Sequence, residues 1–244
     1  MKKILLTIGL LLTFTFVNGQ LAGIISSEDA SGVVCTFPTI LSGTVQGTDV
    51  ANATSHVIDM PSGATTGDLI LVLFACDSND GFTIDGASSA GWSIESQTAE
   101  ATGNVEGGVV WCIVNETENL TLATSSLEAG SWIVFRLSCF NTSNPLTVTN
   151  TNGNSTNADP PTNTGEYGAV NYFWMAFAGI DAQVAASAAP TDFINLLTEV
   201  PGGTGSATVS VATREYNFAD AYDIGAFTTT TEQWVAFSII INPL

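Results

Sequence analysis

Oxygen-bearing side chains cluster in the turn sequence DSNDG at residues 77–81. Asp77, Asn79 and Asp80 come directly after an apolar segment. Carboxylate and amide oxygens around a tight turn are the ligand type that Ca²⁺ prefers. The turn lacks the distal Glu of an EF-hand loop, and Asx-rich turns also form without a metal. The sequence therefore predicts calcium as the candidate cofactor here, with a plain Asx turn as the alternative.

Trp92, Tyr216 and Tyr222 are candidates for stacking against sugar rings. Trp92 follows a glycine in the segment SAGWSIE, and both tyrosines lie in polar contexts. An aromatic side chain with a polar end suits a lectin-like platform for a surface glycan. The alternative for Trp92 is that its ring closes one end of the core, because large aromatic residues dominate cores. We predict a glycan site at these three residues.

Catalytic patterns are weak in this chain. His56 is the single histidine, and no Gly-x-Ser-x-Gly motif accompanies it. A Ser-His-Asp arrangement is therefore unsupported, and we predict that His56 is a surface residue at a strand edge. The 23 acidic residues form many pairs, but none has a distinctive setting for glycosidase chemistry. The sequence predicts a protein that is not an enzyme and has no catalytic residues.

The first 19 residues have the pattern of a secretory signal peptide. Two lysines precede an apolar stretch over residues 4–17, and Gly19 stands before Gln20. The stretch is short for a membrane span, and a retained anchor is the alternative. No later segment is a transmembrane candidate. We predict a secreted protein, extracellular or on the cell surface, with no membrane span after signal cleavage.

The charge of the chain excludes two classes of partner. Without the signal peptide, Arg136 and Arg214 are the two strong bases against 23 Asp and Glu residues. Such a surface repels phosphate groups, so neither nucleic acid nor anionic lipid is a predicted partner. Charged residues make up only 11% of the chain. This composition is unlike the heavily charged surface of a free monomer.

Four cysteines enter an oxidising compartment on secretion, and four cysteines allow three pairings. Cys76 and Cys139 each end an apolar segment, so they are the favoured pair, with Cys35 and Cys112 as the remainder. Because a Cys-x-x-Cys spacing is absent and the chain has one histidine, a structural zinc site is not predicted.

The chain contains an internal repeat. GSWIVFRLSCFNTSNPL at residues 130–146 is echoed by EQWVAFSIIINPL at 232–244, which aligns Trp132 with Trp234 at an offset of 102 residues. Further matched segments are 68–76 with 170–178 and 106–114 with 206–216. Two similar antiparallel units that cannot bury their faces alone form a sandwich when they stack. The predicted fold is all-β: a two-sheet antiparallel β-sandwich, jelly-roll-like, with an internal pseudo-repeat.

Strand signals occur almost throughout the chain, as runs of Val, Ile, Thr and aromatic residues bounded by Gly, Asn, Asp and Pro. TDFINLLTEV at residues 191–200 fits one or two helical turns as well as a strand. We predict a signal peptide over 1–19, an N-terminal arm or strand over 20–60, and a single β-sandwich domain over 61–244.

The segment GDLILVLFAC at residues 67–76 is apolar on both faces. Odd-numbered residues from Leu69 to Ala75 form one face, and even-numbered residues from Ile70 to Cys76 form the other. An exposed face of this kind marks an interaction site, so the N-terminal arm or a second subunit must cover it. This favours a secreted, self-associating structural or adhesive surface protein, such as a filament, fibre or coat component. The alternative function is a carbohydrate-binding module or lectin, assisted by calcium.

The order of these segments carries a resemblance. The chain presents, in order, MPSGATTGDLILVLFAC, AGW, GGVVWCIV, SWIVFRLSCFNTSNPL, VPGGTGSATVSVATREY and EQWVAFSIIINPL. Over residues 45–244 this order resembles jelly-roll-type β-sandwich domains of uncharacterised phage structural and tail-fibre proteins and of marine bacterial surface proteins. The resemblance implies attachment, decoration or assembly roles and carries over no catalytic residues. The signal peptide departs from a virion protein and favours a cell-surface or extracellular one.

Overall fold

The structure, a computed structural model, describes residues 35–244 except 50–51, 79, 87–90, 103, 116–118, 203–204 and 219. Phe37–Leu244 forms one compact unit. Its regular secondary structure consists of strands, which confirms the predicted all-β class. Within the described residues, no helix is long and apolar enough to cross a membrane. The predicted signal peptide, 1–19, lies outside the described residues.

Fourteen strands are formed by the described residues. They are β1 Thr39–Ile40, β2 Val45–Thr48, β3 Ala53–Ile58, β4 Leu69–Cys76, β5 Phe82–Ile84, β6 Ser93–Ala99, β7 Glu106–Ile113, β8 Leu120–Glu128, β9 Gly130–Ser138, β10 Leu146–Ala158, β11 Asn171–Ile180, β12 Ile194–Glu199, β13 Thr208–Asn217 and β14 Phe227–Ile241. The ambiguous segment 191–200 therefore contains a strand, β12. Strands β1 to β3 lie within the predicted N-terminal arm, so the compact unit begins before the predicted domain boundary at 61.

The strands form three antiparallel sheets. The first sheet has the order β1-β9-β4-β7-β6, with β2 also paired to β9. The second has the order β10-β14-β11-β13-β12, and a small third sheet has the order β3-β8-β5. The two large sheets bury one shared core, which confirms the antiparallel β-sandwich. Each large sheet is built from one half of the chain, and the small sheet is an addition to the predicted two.

The central core lies between the two large sheets. Strands β4 and β11 occupy the middle of their sheets, and their inward side chains include Leu71, Leu73 and Phe177. Phe177 stacks on Phe237 of β14 with ring centroids 5.0 Å apart. Alternate residues of a strand share a face, so the apolar alternation in β4 directs one set of side chains into this core. Each such buried side chain is worth about 1.5–3 kcal/mol relative to an exposed one.

The small sheet covers the outer face of β4. Ile70 and Phe74 point away from the central core and join a second apolar cluster with Ile58, Phe82 and Leu122 of the small sheet. The rings of Phe74 and Phe82 meet edge to face, with centroids 5.1 Å apart. Strand β4 therefore buries both of its apolar faces within one chain.

Connecting segments cover the outer face of β11. Tyr172 and Trp174 point outward into a third apolar cluster that includes Ala186, Phe193 and Ile224. These last three residues come from the β11–β12 and β13–β14 connections. Of the two covers predicted for the apolar faces, the N-terminal arm supplies strand β3, together with Val45 and Met60, to the outer face of β4. The remaining cover of both faces comes from the body of the sandwich.

The predicted repeat corresponds to two sheets with the same strand order. Strands β9, β4 and β7 of the first sheet occupy the positions of β14, β11 and β13 in the second. Trp132 pairs with Phe74, and Trp234 pairs with Ile180. When the two tryptophans are aligned, Phe74 of β4 therefore corresponds to Ile180 of β11. Ile180 lies four residues further along the chain than the predicted 102-residue offset would place the match. Because the difference is even, the inward and outward faces of the two strands still correspond.

The disulfide pairing differs from the prediction. Cys35 and Cys139 are disulfide-bonded, whereas Cys76 and Cys112 are free and buried. The predicted pairs, Cys76 with Cys139 and Cys35 with Cys112, are therefore wrong. Strands β4 and β9 are antiparallel neighbours, so the C-terminal end of each lies beside the N-terminal end of the other. Cys76 ends β4 and Cys139 follows β9, so the two cysteines are separated by about the length of a strand.

We expect no thiol of the native protein to react with Ellman's reagent, and two thiols to react after unfolding without reductant. Burial raises the pKa of Cys112 to about 12 and also raises the pKa of Cys76, so neither forms a reactive thiolate near neutral pH. The absorbance of the released thiolate counts the reactive groups. An unfolded protein without reactive thiols would contradict the structure and support two disulfides.

Candidate functional site

The predicted calcium turn lies at the end of β4. Asp80 accepts a hydrogen bond from the Ser125 hydroxyl at 3.0 Å, and the Asp80 N–H donates to Ser78 Oγ at 3.2 Å. Asn79 lies outside the described residues, and partial burial raises the pKa of Asp77. Among the residues that the structure describes, no group of three or more His, Cys, Asp or Glu is arranged to hold a metal ion. Within the turn, the described contact is the one that the Ser78 hydroxyl accepts from the N–H two residues on, as in an ST-turn, and calcium binding stays a prediction.

Several carboxylates near the C-terminal end of β4 raise one another's pKa values. Burial, followed by the charges of Asp77 and Glu232, raises the pKa of Asp181 to about 6. Burial raises the pKa of Glu106 and Glu128 as well. Among the smaller causes, the charge of Glu128 acts on Glu106 and the charge of Asp77 acts on Glu128. Ionising these groups at neutral pH therefore works against folding.

We expect the free energy of unfolding to be larger near pH 4.5 than near pH 7.5. Asp181 has a folded pKa of about 6 against the usual 3.8, so the folded state holds its proton more tightly. Stability is therefore lost as the pH rises from about 4 through about 6. After allowance for solvent screening, Asp181 accounts for about 1 kcal/mol of the change.

Urea unfolding at a series of pH values measures this dependence. Asp181→Asn should flatten the curve between pH 4 and pH 6 relative to wild-type protein. Stability that increases through this interval would contradict the assignment.

His56 is fully buried, so its prediction as a surface residue is wrong. Its Nδ1 lies 2.7 Å from Asp49 Oδ2, and its Nε2 lies 3.4 Å from Thr124 Oγ1. The ring also contacts Phe74, with centroids 5.2 Å apart. Thr124 is only 7% exposed, and its hydroxyl donates to the Ser126 carbonyl at 2.9 Å. These contacts tie the segment before β3 to strand β8 beneath the surface.

The predicted aromatic platform is divided between the two outer sides of the sandwich. Trp92 is 8% exposed and belongs to the cluster under the small sheet. Tyr216 and Tyr222 pack against the cluster on the outer face of the second sheet, with ring centroids 5.1 Å apart. A single platform of all three residues is therefore wrong. The ring of Trp92 is buried in the cluster between the first sheet and the small sheet, whereas its alternative interpretation was closure of one end of the core.

The two tyrosines hold the guanidinium of Arg214. Alternate residues share a face, so β13 presents Arg214 and Tyr216 on the same side, with Arg214 Cζ 3.9 Å from the Tyr216 ring centroid. Phe218 stacks on Tyr216 with centroids 5.2 Å and planes 18° apart. Arg214 Nη1 donates a hydrogen bond to the Tyr222 hydroxyl. Cation–π contacts of this kind are worth about 0.5–1 kcal/mol, and here they restrict the guanidinium to one position.

A pocket of about 350 Å³ opens beside Arg214 at the β12 edge of the second sheet. We call it the β12–β13 pocket, and it is lined by Phe173, Asp192, Ile194, Asn195, Thr213, Arg214 and Glu215. The pairing register shifts between Ile194 and Leu197, so two residues of β12 oppose one residue of β13. A bulge of this kind bends the strand and redirects its side chains.

Two residues of this pocket have a left-handed backbone. Asp192 has a φ of 68° and Asn195 a φ of 54°, and Cys139 is the third non-glycine residue with a positive φ in the described part of the chain. Asp and Asn tolerate this conformation better than most residues, but it still costs of order 1 kcal/mol. Such positions concentrate at ligand-binding sites, where packing maintains an otherwise unfavourable backbone.

The electrostatics distinguish Arg214 from the other arginine of the sandwich. Arg214 Nη1 lies 3.6 Å from Asp192 Oδ2, and the Asp192 side chain is 64% exposed. Arg136 Nε donates to Asp68 Oδ2 at 2.6 Å, and those two side chains are 15% and 12% exposed. A guanidinium has five N–H donors, so the weakly paired Arg214 retains donors for a ligand. Arg136 instead belongs to the structural framework.

Sequence reasoning missed most of the β12–β13 pocket. It identified Arg214 as one of two remaining bases and placed Tyr216 beside a possible ligand, but it did not single out Asp192 or Asn195. The available signal lay in TDFINLL, where Asp and Asn interrupt an apolar run with residue types that accept a left-handed backbone. Their proximity to Arg214 depends on the pairing of β12 with β13.

The fold and the pocket define an all-β sandwich protein with a polar pocket at a sheet edge. No family model matches the chain, and no curated protein or solved structure matches it either. The functional argument therefore depends on the pocket and on the chemistry of its side chains.

Proposed function

We propose that this protein is a secreted carbohydrate-binding protein that holds a glycan in the β12–β13 pocket and does not transform it. The proposal depends on one observation: an immobilised guanidinium, that of Arg214, adjoins two pocket residues with left-handed backbone, Asp192 and Asn195. Polar groups that are held in place before binding lose less conformational entropy when the ligand arrives. This preorganisation supports a binding role for the pocket.

Sugar hydroxyls both donate and accept hydrogen bonds, and the pocket offers both kinds of partner. Arg214 and Asn195 present N–H donors, and Asp192 and Glu215 present carboxylate acceptors. Ile194 is 63% exposed, so its side chain offers an apolar surface to the C–H face of a sugar ring. The volume of about 350 Å³ is near the lower end of the roughly 300–1,000 Å³ of small-molecule sites. That size suits a short stretch or the end of a glycan.

The disulfide chemistry supports placement outside the cytosol. Cys35 and Cys139 are disulfide-bonded, and such bonds persist in oxidising compartments. The signal-peptide pattern of residues 1–19 predicts the same location. A glycan ligand is then one that the protein meets outside the cell or on its surface.

A glycan array followed by calorimetry on the strongest ligand tests the proposal. Arg214→Met and Asp192→Asn should each weaken binding by roughly tenfold, the loss expected for one hydrogen bond to a charged group. Asp59→Asn is the matched control, because Asp59 is also exposed but pairs with Asn119 away from the pocket. The proposal is wrong if wild-type protein binds no glycan, or if both pocket variants bind as tightly as the control.

Self-association as a structural or adhesive surface component is the second proposal. The sequence argument for self-association was an apolar strand face that needs a cover. This argument is weakened because the chain covers both outer faces itself. The observation that now favours it is the small sheet, where β3 and β5 pair only with β8 among the described strands. Val57 on β3 is 54% exposed, and unpaired strand edges can add a strand from another chain.

Light scattering after size-exclusion chromatography, with and without calcium, tests self-association. If β3 provides the interface, the protein should form oligomers at high concentration, and Val57→Lys should shift them toward monomers. A mature protein that stays monomeric in both conditions would contradict this second proposal.

A further inference from the structure

We infer that the β12–β13 pocket selects a neutral sugar over a uronic acid or a sulfated sugar. This inference rests on the proposed function and names the chemical class of its ligand. It depends on the charges that line and surround the pocket.

The lining of the pocket carries more negative than positive charge. Asp192 and Glu215 supply two carboxylates, and Arg214 supplies one guanidinium. The guanidinium also lies 3.6 Å from an Asp192 oxygen, so part of its charge is already compensated. An anionic ligand would have to compete with Asp192 for Arg214 while approaching Glu215.

The rest of the protein increases this repulsion. The chain has a formal charge of −19, and its second arginine outside the signal segment, Arg136, is bound to Asp68 at 2.6 Å. The loop that carries Tyr222 adds two further negative charges, because Asp220 and Asp223 lie close to Tyr222 in the sequence. A surface dominated by one sign of charge slows and weakens the association of ligands with the same sign.

The same groups suit the hydroxyls of a neutral sugar. A hydroxyl can accept a hydrogen bond from Arg214 and donate one to the neighbouring Asp192, so the ion pair does not need to be broken. Hydrogen bonds with one ionised partner are stronger than those between neutral groups. Tyr216 and Tyr222 hold the guanidinium, so little ordering is required when the sugar binds.

The test compares sugars that differ at C6, where a neutral hydroxymethyl group is replaced by a carboxylate. The probes are oligosaccharides from β-glucan, mannan and galactan, together with the same oligosaccharides oxidised to uronates at C6. Calorimetry should give at least tenfold tighter binding for the neutral member of the pair that binds best. Affinity for that neutral probe should change by less than twofold between 50 and 500 mM salt, because no net charge is neutralised.

Removing the carboxylates should reduce the preference. Asp192→Asn, Glu215→Gln and the double variant should lower the ratio of neutral to acidic affinity, and unchanged thermal unfolding confirms that they fold. Glu215 is exposed, so Glu215→Gln provides a variant with little structural consequence. Equal or tighter binding of the uronates by wild-type protein overturns the inference and leaves the proposed function intact. Failure to bind every probe and every array glycan overturns the proposed function itself.

Discussion

Gly107→Val is expected to lower the free energy of unfolding by about 3 kcal/mol, the upper part of the range for overpacked cores. Gly107 lies on β7 where the two large sheets approach each other. A Cβ added there would lie 2.7 Å from Val235 Cγ2 and 3.4 Å from Phe237 Cε2. Both partners are completely buried in a close-packed core, so neither has room to move away. Urea unfolding followed by tryptophan fluorescence measures the loss.

Gly86→Val is the matched control for this substitution. Apart from its chain neighbours, no atom of the described residues lies within 4 Å of an added Cβ at Gly86, so the expected change is within about 0.5 kcal/mol. Gly107→Ala combined with Val235→Ala should be less destabilising than the sum of the two single changes, because the second removes the methyl group that the first would meet. Equal effects of Gly107→Val and Gly86→Val would contradict the close approach of the sheets.

Arg136→Met is expected to cost about 3 kcal/mol, as for other nearly buried ion pairs that lose one partner. Asp68 accepts hydrogen bonds from Arg136 Nε at 2.6 Å and from the Thr65 N–H at 2.8 Å. The Asp68 side chain is only 12% exposed, so loss of the guanidinium leaves a carboxylate with little water to replace it. Denaturant unfolding at neutral pH measures the difference from wild-type protein.

Arg214→Met is the natural comparison, because both substitutions replace an arginine with a side chain of similar length. The Arg214 contact with Asp192 is 3.6 Å long and the carboxylate is 64% exposed, so losing this ion pair should cost about 1 kcal/mol or less. Losing the cation–π contact with Tyr216 adds about 0.5–1 kcal/mol, so the total should stay below the cost of Arg136→Met. Adding Asp68→Asn to Arg136→Met should recover part of the lost stability, since the unpaired charge is removed. If the two arginine variants are equally stable, Arg136 does not have the structural role assigned to it.

The comparison of the two arginine variants distinguishes an effect on folding stability from an effect on glycan binding. Arg136 stabilises the first sheet and lies outside the β12–β13 pocket, whereas Arg214 lines the pocket and has an ion-pair partner, Asp192, that is largely exposed. Loss of glycan binding in Arg214→Met can therefore be attributed to the pocket when its unfolding curve resembles that of wild-type protein. The two variants should show opposite patterns in binding and unfolding experiments.

The strands and the sandwich were predictable because their signals are local. The double apolar face of Leu69–Cys76 predicts a strand buried on both sides, and all eight residues of β4 are buried. The echo of Trp132 in Trp234 predicts two related units, and the two large sheets share one strand order. Periodicity and residue type carry this information without knowledge of which strands become neighbours.

The candidate site was predictable only in part. Tyr216 and Tyr222 were selected as ligand residues because they are aromatic and in polar contexts, and the structure places both at Arg214. Trp92 was selected by the same criterion and is buried, because the criterion does not reveal which aromatic ring the core requires. Asp192 was not selected, because an isolated aspartate carries no sign of the arginine that it will face.

By itself the sequence determined the all-β class, the internal repeat, the need for cover on both faces of β4 and the scarcity of basic residues. These properties depend on side-chain type and on a period of two residues, and both are local. Only the tertiary structure decided which segments form the covers, which cysteines pair, that His56 is buried, and that a bulge opens a pocket beside Arg214. Those outcomes depend on antiparallel pairing between distant segments, because the pairing decides which strand ends and side chains lie together.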